Sequence, residues 1–209
     1  MSDKDNSESE AVFPEGAVLS KETLRRRLKR DLIISPILDE SQIGDGSIDI
    51  SLGTRFITSR RSKLSQIDFP KLDLKEMQSF QESVVVPFGE HFTLHPNSFA
   101  LGCTFEFIAF PNDVCGFVLS RSSYGRAGLL IATATFVHPG WHGCLTLELE
   151  NLGEIPIILR PLSTVGQLVL LNATPLPSKP KAKSIPVAPT FTTLNDDPRW
   201  KKIEALAKV

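Results

Sequence analysis

From residue 47 onward the chain runs as a series of short apolar stretches, each closed by Gly, Pro, Asn or Asp, and this pattern restricts the fold more than any other feature. In Ser47-Ile-Asp-Ile-Ser-Leu-Gly53, residues Ile48, Ile50 and Leu52 alternate with polar neighbours, so an extended chain puts them on one face. Residues 84–88, 99–110, 114–119, 129–137, 145–149, 155–159 and 167–171 are likewise rich in Val, Ile, Leu and Phe. Helices of ordinary length do not fit between turn residues so closely spaced, whereas strands do. Parallel strands would need long crossover connections, usually helical, which the spacing does not offer. The chain is therefore predicted to be mainly β, an all-β barrel or jelly-roll-like sandwich rather than a βαβ fold.

One helix precedes the strands. Over residues 20–30, Ser20 offers an N-cap, Glu22 an acidic first turn and the basic residues a matching last turn, with Leu24 and Leu28 one turn apart. Its Arg and Lys side chains read as a solvated face. The whole chain balances 23 Lys and Arg against 24 Asp and Glu, which does not favour a nonspecific grip on nucleic acid or an anionic membrane. With 209 residues and 41% hydrophobic content, one well-cored domain is the expectation.

The start of the chain, Met1-Ser-Asp-Lys-Asp-Asn-Ser-Glu-Ser-Glu10, is acidic where a signal peptide is basic and then apolar, so a cytoplasmic, membrane-free protein is expected. Residues 1–16 read as a disordered lead-in, residues 17–173 as the β domain, and residues 174–209 as a Pro- and Lys-rich arm without a core of its own. That arm either packs on a neighbouring subunit or hangs loose. Cys103, Cys115 and Cys144 show no C-x-x-C spacing and sit in apolar stretches, so buried reduced thiols are expected rather than disulfides or a zinc site.

Two places carry chemistry. Ser120-Arg-Ser-Ser-Tyr-Gly-Arg-Ala-Gly128 falls between two predicted strands and gathers the donors that bind an anion: guanidinium forks, hydroxyls and backbone that glycine leaves open. A plain Arg- and Ser-rich turn has the same composition. Further on, Thr146, Glu148 and Glu150 share one face of a predicted strand, while Leu145, Leu147 and Leu149 share the other. On a solvent face Glu148 does nothing. Lining a pocket between subunits, a partly desolvated carboxylate holds its proton to higher pH and can shuttle protons near neutrality.

The order and spacing of Arg121-Ser-Ser-x-x-Arg-x-Gly128, Pro139-Gly-Trp-x-Gly143, Leu147-Glu148 with Asn151, and Leu159-Arg-Pro161 with Gly166 resemble the core of the dCTP deaminase family. Upstream, Gly46-Ser-Ile-Asp-Ile-Ser-Leu-Gly53 and Leu94-His-Pro96 extend the likeness, which spans about residues 18–173. The resemblance implies a dUTPase-like distorted β-barrel or jelly roll, a homotrimer with sites between subunits, and dCTP as substrate with Mg²⁺ on its phosphates. It implies Glu148 as acid/base, Ser122 and Arg126 as orienting groups, and Arg121 and Ser123 as phosphate ligands. Tyr124, Gly125, Ala134, Val137, His138, Thr146, Leu147 and Gln167 complete the implied substrate contacts. The H-x-E and P-C-x-x-C signature of zinc deaminases does not occur, which agrees with a carboxylate doing the metal's work.

Three features depart from the family pattern. His138 stands before Pro139 where an Asp is usual, the stretch from Gly128 to Pro139 is about one residue short, and the C-terminal arm lacks the expected Lys, Tyr and Gln array. Other readings remain alongside dCTP deamination: dUTP diphosphatase, a bifunctional enzyme, or a nucleotide-binding regulator without catalysis. The diphosphatase reading is weakened because the turn into Gly143 has His138 and no Asp.

Overall fold

A computed structural model describes residues 14–60, 66–67 and 79–175. The predicted lead-in therefore lies almost wholly, and the C-terminal arm almost wholly, outside the described residues. Helix α1, Lys21–Arg30, begins at Ser20, whose side chain accepts the Thr23 N–H. Leu24 enters the core, as its spacing predicts. Arg27 does not join the solvated face: it is buried and bidentate to Asp113, at 2.9 and 2.6 Å, which ties the helix to the turn before a central strand. Those hydrogen bonds hold the Asp113 carboxyl below the ordinary carboxylate range.

The described residues form fourteen strands in four antiparallel sheets, with a mainly β character as expected. Phe136–Val137 (β10), Val114–Ser120 (β8), Thr164–Asn172 (β14) and Ser47–Ser51 (β2) make one sheet in that order. Gln81–Val85 (β4), Arg55–Ser59 (β3), Phe99–Cys103 (β6), Thr146–Asn151 (β12) and Leu129–Ile131 (β9) make the largest. A third sheet joins Ile33–Ser35 (β1), Phe107–Ala109 (β7) and His142–Gly143 (β11), and a fourth pairs Ile157–Leu159 (β13) with Phe92–Leu94 (β5). Among the described residues no sheet closes on itself, so the strands form open sheets and not a closed barrel.

One hydrophobic cluster binds the layers. Ile48, Ile50, Leu168 and Leu170 come to it from the first sheet, and Phe56, Ala100, Leu147 and Leu149 from the largest. All of these are fully buried, and each large aliphatic side chain removed from water stabilises by about 1.5–3 kcal/mol. Alternation then turns Gln167 and Val169 away from that core on one sheet, and Glu148 and Glu150 away from it on the other.

The predicted single strand over residues 99–110 breaks in two at Glu106. Its carboxylate is wholly buried and accepts the Ser51 N–H at 2.9 and 3.1 Å. The Thr104 hydroxyl donates to the Glu106 carbonyl and accepts the Leu145 N–H, so the chain leaves one sheet for another with its backbone groups satisfied. Burial pushes the Glu106 carboxyl above its ordinary range, against the hydrogen bonds from Ser51. Cys103 and Cys144 are free and buried, Cys115 is free and half-buried, and burial raises the Cys103 thiol to about 12. Among the described residues no helix is long and apolar enough to cross a membrane.

Candidate active site

The Arg- and Ser-rich cluster, which lies between two strands as expected, folds as a short helix, α2, Ser122–Arg126, with Arg121 at its N-cap. The Arg121 N–H donates to the Val165 carbonyl at 3.1 Å, which fixes where β8 ends and α2 begins against β14. Arg121, Ser122, Ser123, Gly125 and Arg126 are exposed, while Tyr124 packs on the core and anchors the helix. The Arg121 guanidinium lies 3.3 Å from Asp49 through Nη1. Beside them Gln167 pairs in register with Asp49 and accepts a hydrogen bond from the Ser47 hydroxyl at 3.1 Å.

At its other end α2 stops on Gly128, whose φ of 94° is left-handed and favours glycine. A Cβ there would fall 2.7 Å from the Gly153 nitrogen, so two backbones meet without room for a side chain. The Leu152 N–H donates to the Gly128 carbonyl at 2.9 Å. Asn151, fully buried, holds the loop that makes this contact: its Nδ2 donates to the Leu94 and Ile155 carbonyls, and its Oδ1 accepts the Gly153 N–H.

Glu148 sits in the middle of β12 with Leu147 and Leu149 locked in the core on either side. Its main chain is pinned at both ends: its N–H donates to the Thr133 hydroxyl at 2.8 Å and its carbonyl accepts the Ala132 N–H at 2.8 Å. Thr133 in turn donates to the Thr146 carbonyl at 3.2 Å. The half-exposed carboxylate lies opposite the buried Leu101 of β6 and has no hydrogen bond or ion pair among the described residues. Ala134 is exposed on the same connecting segment, which then crosses to the other sheet where the Val118 N–H donates to the Thr135 carbonyl. The Val137 side chain is buried, so only its backbone is available to a ligand, and the Leu147 side chain is likewise confined to the core. His138 is exposed and meets Phe136 edge to face at 4.8 Å.

Residues 18–173 match the family model described as dCTP deaminase-like. The chain belongs to this family. A relative from Methanobrevibacter smithii, named a dUMP-forming dCTP deaminase, is 40% identical over 160 residues, covering 76% of this chain and 81% of its own. A dCTP deaminase from Halorubrum lacusprofundi is 40% identical over 148 residues, covering 70% and 72%. The crystal structure of a 2′-deoxycytidine 5′-triphosphate deaminase from Agrobacterium tumefaciens superposes with a TM-score of 0.60 at 20% identity, over 77% of this chain and 49% of that one, a likeness of fold.

Within the deaminase family frame, the implied site residues fall in two groups. Arg121, Gln167 and the α2 side chains lie on and beside the outer face of the sheet β10-β8-β14-β2, with His138 following β10 at its far edge. Glu148 and Thr146 lie on the outer face of the largest sheet. The two outer faces look away from one shared core, and no hydrogen bond or ion pair joins Glu148 to α2 among the described residues. Sequence reasoning missed Asp49, Thr133 and the role of Asn151. Asp49 was visible only as a polar residue in an alternating strand, and Thr133 only as one hydroxyl in an Ala-Thr-Ala-Thr run.

Proposed function

We propose that this chain is a hydrolase that converts dCTP and water to dUTP and ammonia, with Glu148 as the group that moves the protons. The observation that carries this reading is the Glu148 carboxylate itself, unpaired within the described chain on a strand whose backbone is fixed by Thr133 and Ala132. A carboxylate so placed, beside the apolar Leu101, is available to accept a proton from water as the water attacks C4 of cytosine. It passes that proton to N3, takes the second proton from the hydroxyl now on C4 and delivers it to the amine; the C4–N bond breaks as C4=O forms, and ammonia leaves. Ser122 and Arg126 orient water and base, and Arg121 and Ser123 hold phosphate. Ala134 and Val137 meet the base through their main chain, and His138 faces the sugar.

The opposed faces of the two groups support sites shared between copies, and a homotrimer is the assembly we infer. One copy presents the Arg121–Arg126 segment to Glu148 of its neighbour. Mg²⁺ belongs to the triphosphate in this reading. Among the described residues no three His, Cys, Asp or Glu side chains gather to hold a metal, whereas the guanidinium and hydroxyl groups of the α2 segment suit a phosphate chain that brings its own cation.

For the product, several relatives are named dUMP-forming. Release of pyrophosphate needs a second water oriented at the α-phosphate, and the turn from His138 to Gly143 contains no carboxylate to orient it. We therefore assign dUTP as the product. Incubation of the full chain with dCTP and Mg²⁺, followed by chromatography, is expected to give dUTP and ammonia. Appearance of dUMP with pyrophosphate would move the assignment to the bifunctional activity, and binding without conversion would leave a regulator.

A further inference from the structure

We infer that Asp49 is a positioning residue that holds the Arg121 guanidinium ready for the substrate phosphates, an inference that rests on the proposed site. Asp49 lies in the middle of β2, and its pairing with Gln167 of β14 brings its carboxylate to the foot of α2. There it meets Nη1 of Arg121 at 3.3 Å. Gln167 accepts from Ser47 instead, so Asp49 is the acidic partner of that guanidinium among the described residues.

The geometry of the pair matters more than its charge. A guanidinium has five N–H donors in a planar fork, and the contact with Asp49 engages one nitrogen, leaving Nε and Nη2 for a bidentate anion. Arg121 is about half exposed and Asp49 is the more buried partner, with side-chain exposures of 46% and 27%. The carboxylate therefore acts as a fixed post on a sheet, and the Arg as the arm that reaches outward. The Arg121 backbone is fixed as well, through its N–H to Val165. A carboxylate beside a phosphate ligand also has an opposite effect, since it lowers the local positive charge and repels a triphosphate. Positioning and repulsion thus predict opposite signs for the same substitution.

The test uses the full chain and two probes. Asp49→Asn keeps the shape and removes the charge. Titration calorimetry with inorganic tripolyphosphate is expected to show binding weakened about three- to fivefold, the size of effect a partly exposed ion pair supports. With dCTP, KM is expected to rise by a similar factor while kcat stays within about twofold, because the pair acts on binding and not on the proton transfers at Glu148. Asp49→Glu should recover part of the loss. In an Arg121→Ala background, Asp49→Asn should add nothing further, since the effect passes through the guanidinium. Tighter tripolyphosphate binding in Asp49→Asn would overturn the inference in favour of repulsion. An unchanged Kd with only a lower melting temperature would overturn it in favour of a purely structural pair. Wild-type protein that binds tripolyphosphate but releases no ammonia from dCTP would defeat the deaminase reading while leaving the Asp49 result to be read from calorimetry alone.

Discussion

Asn151 holds the loop against which α2 ends at Gly128, and its replacement has a calculable cost. It makes three hydrogen bonds with no solvent exposure: Nδ2 to the Leu94 carbonyl at 3.0 Å, Nδ2 to the Ile155 carbonyl at 2.9 Å, and Oδ1 from the Gly153 N–H at 2.9 Å. Asn151→Ala deletes all three, each worth about 0.5–1.5 kcal/mol net, with a larger penalty where the abandoned group stays buried. Leu94 is buried, so its carbonyl stays dry, whereas Ile155 is 77% exposed and its carbonyl can rehydrate. We therefore expect a loss of about 2–4 kcal/mol. Asn151→Asp keeps the acceptor for Gly153 but points an anionic oxygen at two carbonyls, so it should be the worse variant at neutral pH. The carboxyl introduced there has its pKa raised in the folded state, so the deficit relative to Asn151→Ala should shrink as pH falls. Urea denaturation followed by circular dichroism reads both effects as a lower midpoint at constant slope. If Asn151→Ala stays within about 0.5 kcal/mol of wild type, the role assigned to this residue is wrong.

Gly128→Ala forces a side chain into left-handed backbone 2.7 Å from the Gly153 nitrogen, and should cost at least about 1–3 kcal/mol. Gly125→Ala, with open space around it, should leave thermal stability almost unchanged; equal melting temperatures for the two variants would contradict the packing argument. Glu106 has a folded pKa raised above its ordinary 4.5, chiefly by burial, so its contribution is fully present below the unfolded value and is lost as pH rises through the folded one. Glu106→Gln keeps an acceptor for Ser51 and cannot ionise, so it should gain on wild type as pH climbs from about 4.5 upward; parallel stability curves would refute this.

The fold was legible where local pattern and burial agree. The Ser20 cap and the Leu24 spacing place α1 to within a residue, and the alternation of Ile48, Ile50 and Leu52 marks β2. It was illegible where distant partners decide. Arg55–Ser59 puts Phe56 in the core and Ile57 under cover on the opposite face, against Leu101 of β6, so neither face shows alternation. The break at Glu106 depends on a Ser51 N–H far away in sequence. The burial of Arg27 depends on Asp113 in the same way. For the site, the spacing of Arg121, Pro139 and Glu148 carries the family likeness, and residues 18–173 match the family model. Composition says nothing of Asp49 or Thr133, because one acts through a salt bridge across the sheet and the other through backbone groups of β12.

Ammonia release from dCTP by wild type and by Glu148→Gln tests the central claim most directly. The glutamine keeps the shape of the side chain and the backbone bonds to Thr133 and Ala132, but cannot take a proton from water. The account predicts a fall in kcat of about 10²–10⁴-fold, with tripolyphosphate binding and oligomeric state unchanged. Activity within about tenfold of wild type would contradict the assignment of Glu148 as the proton carrier.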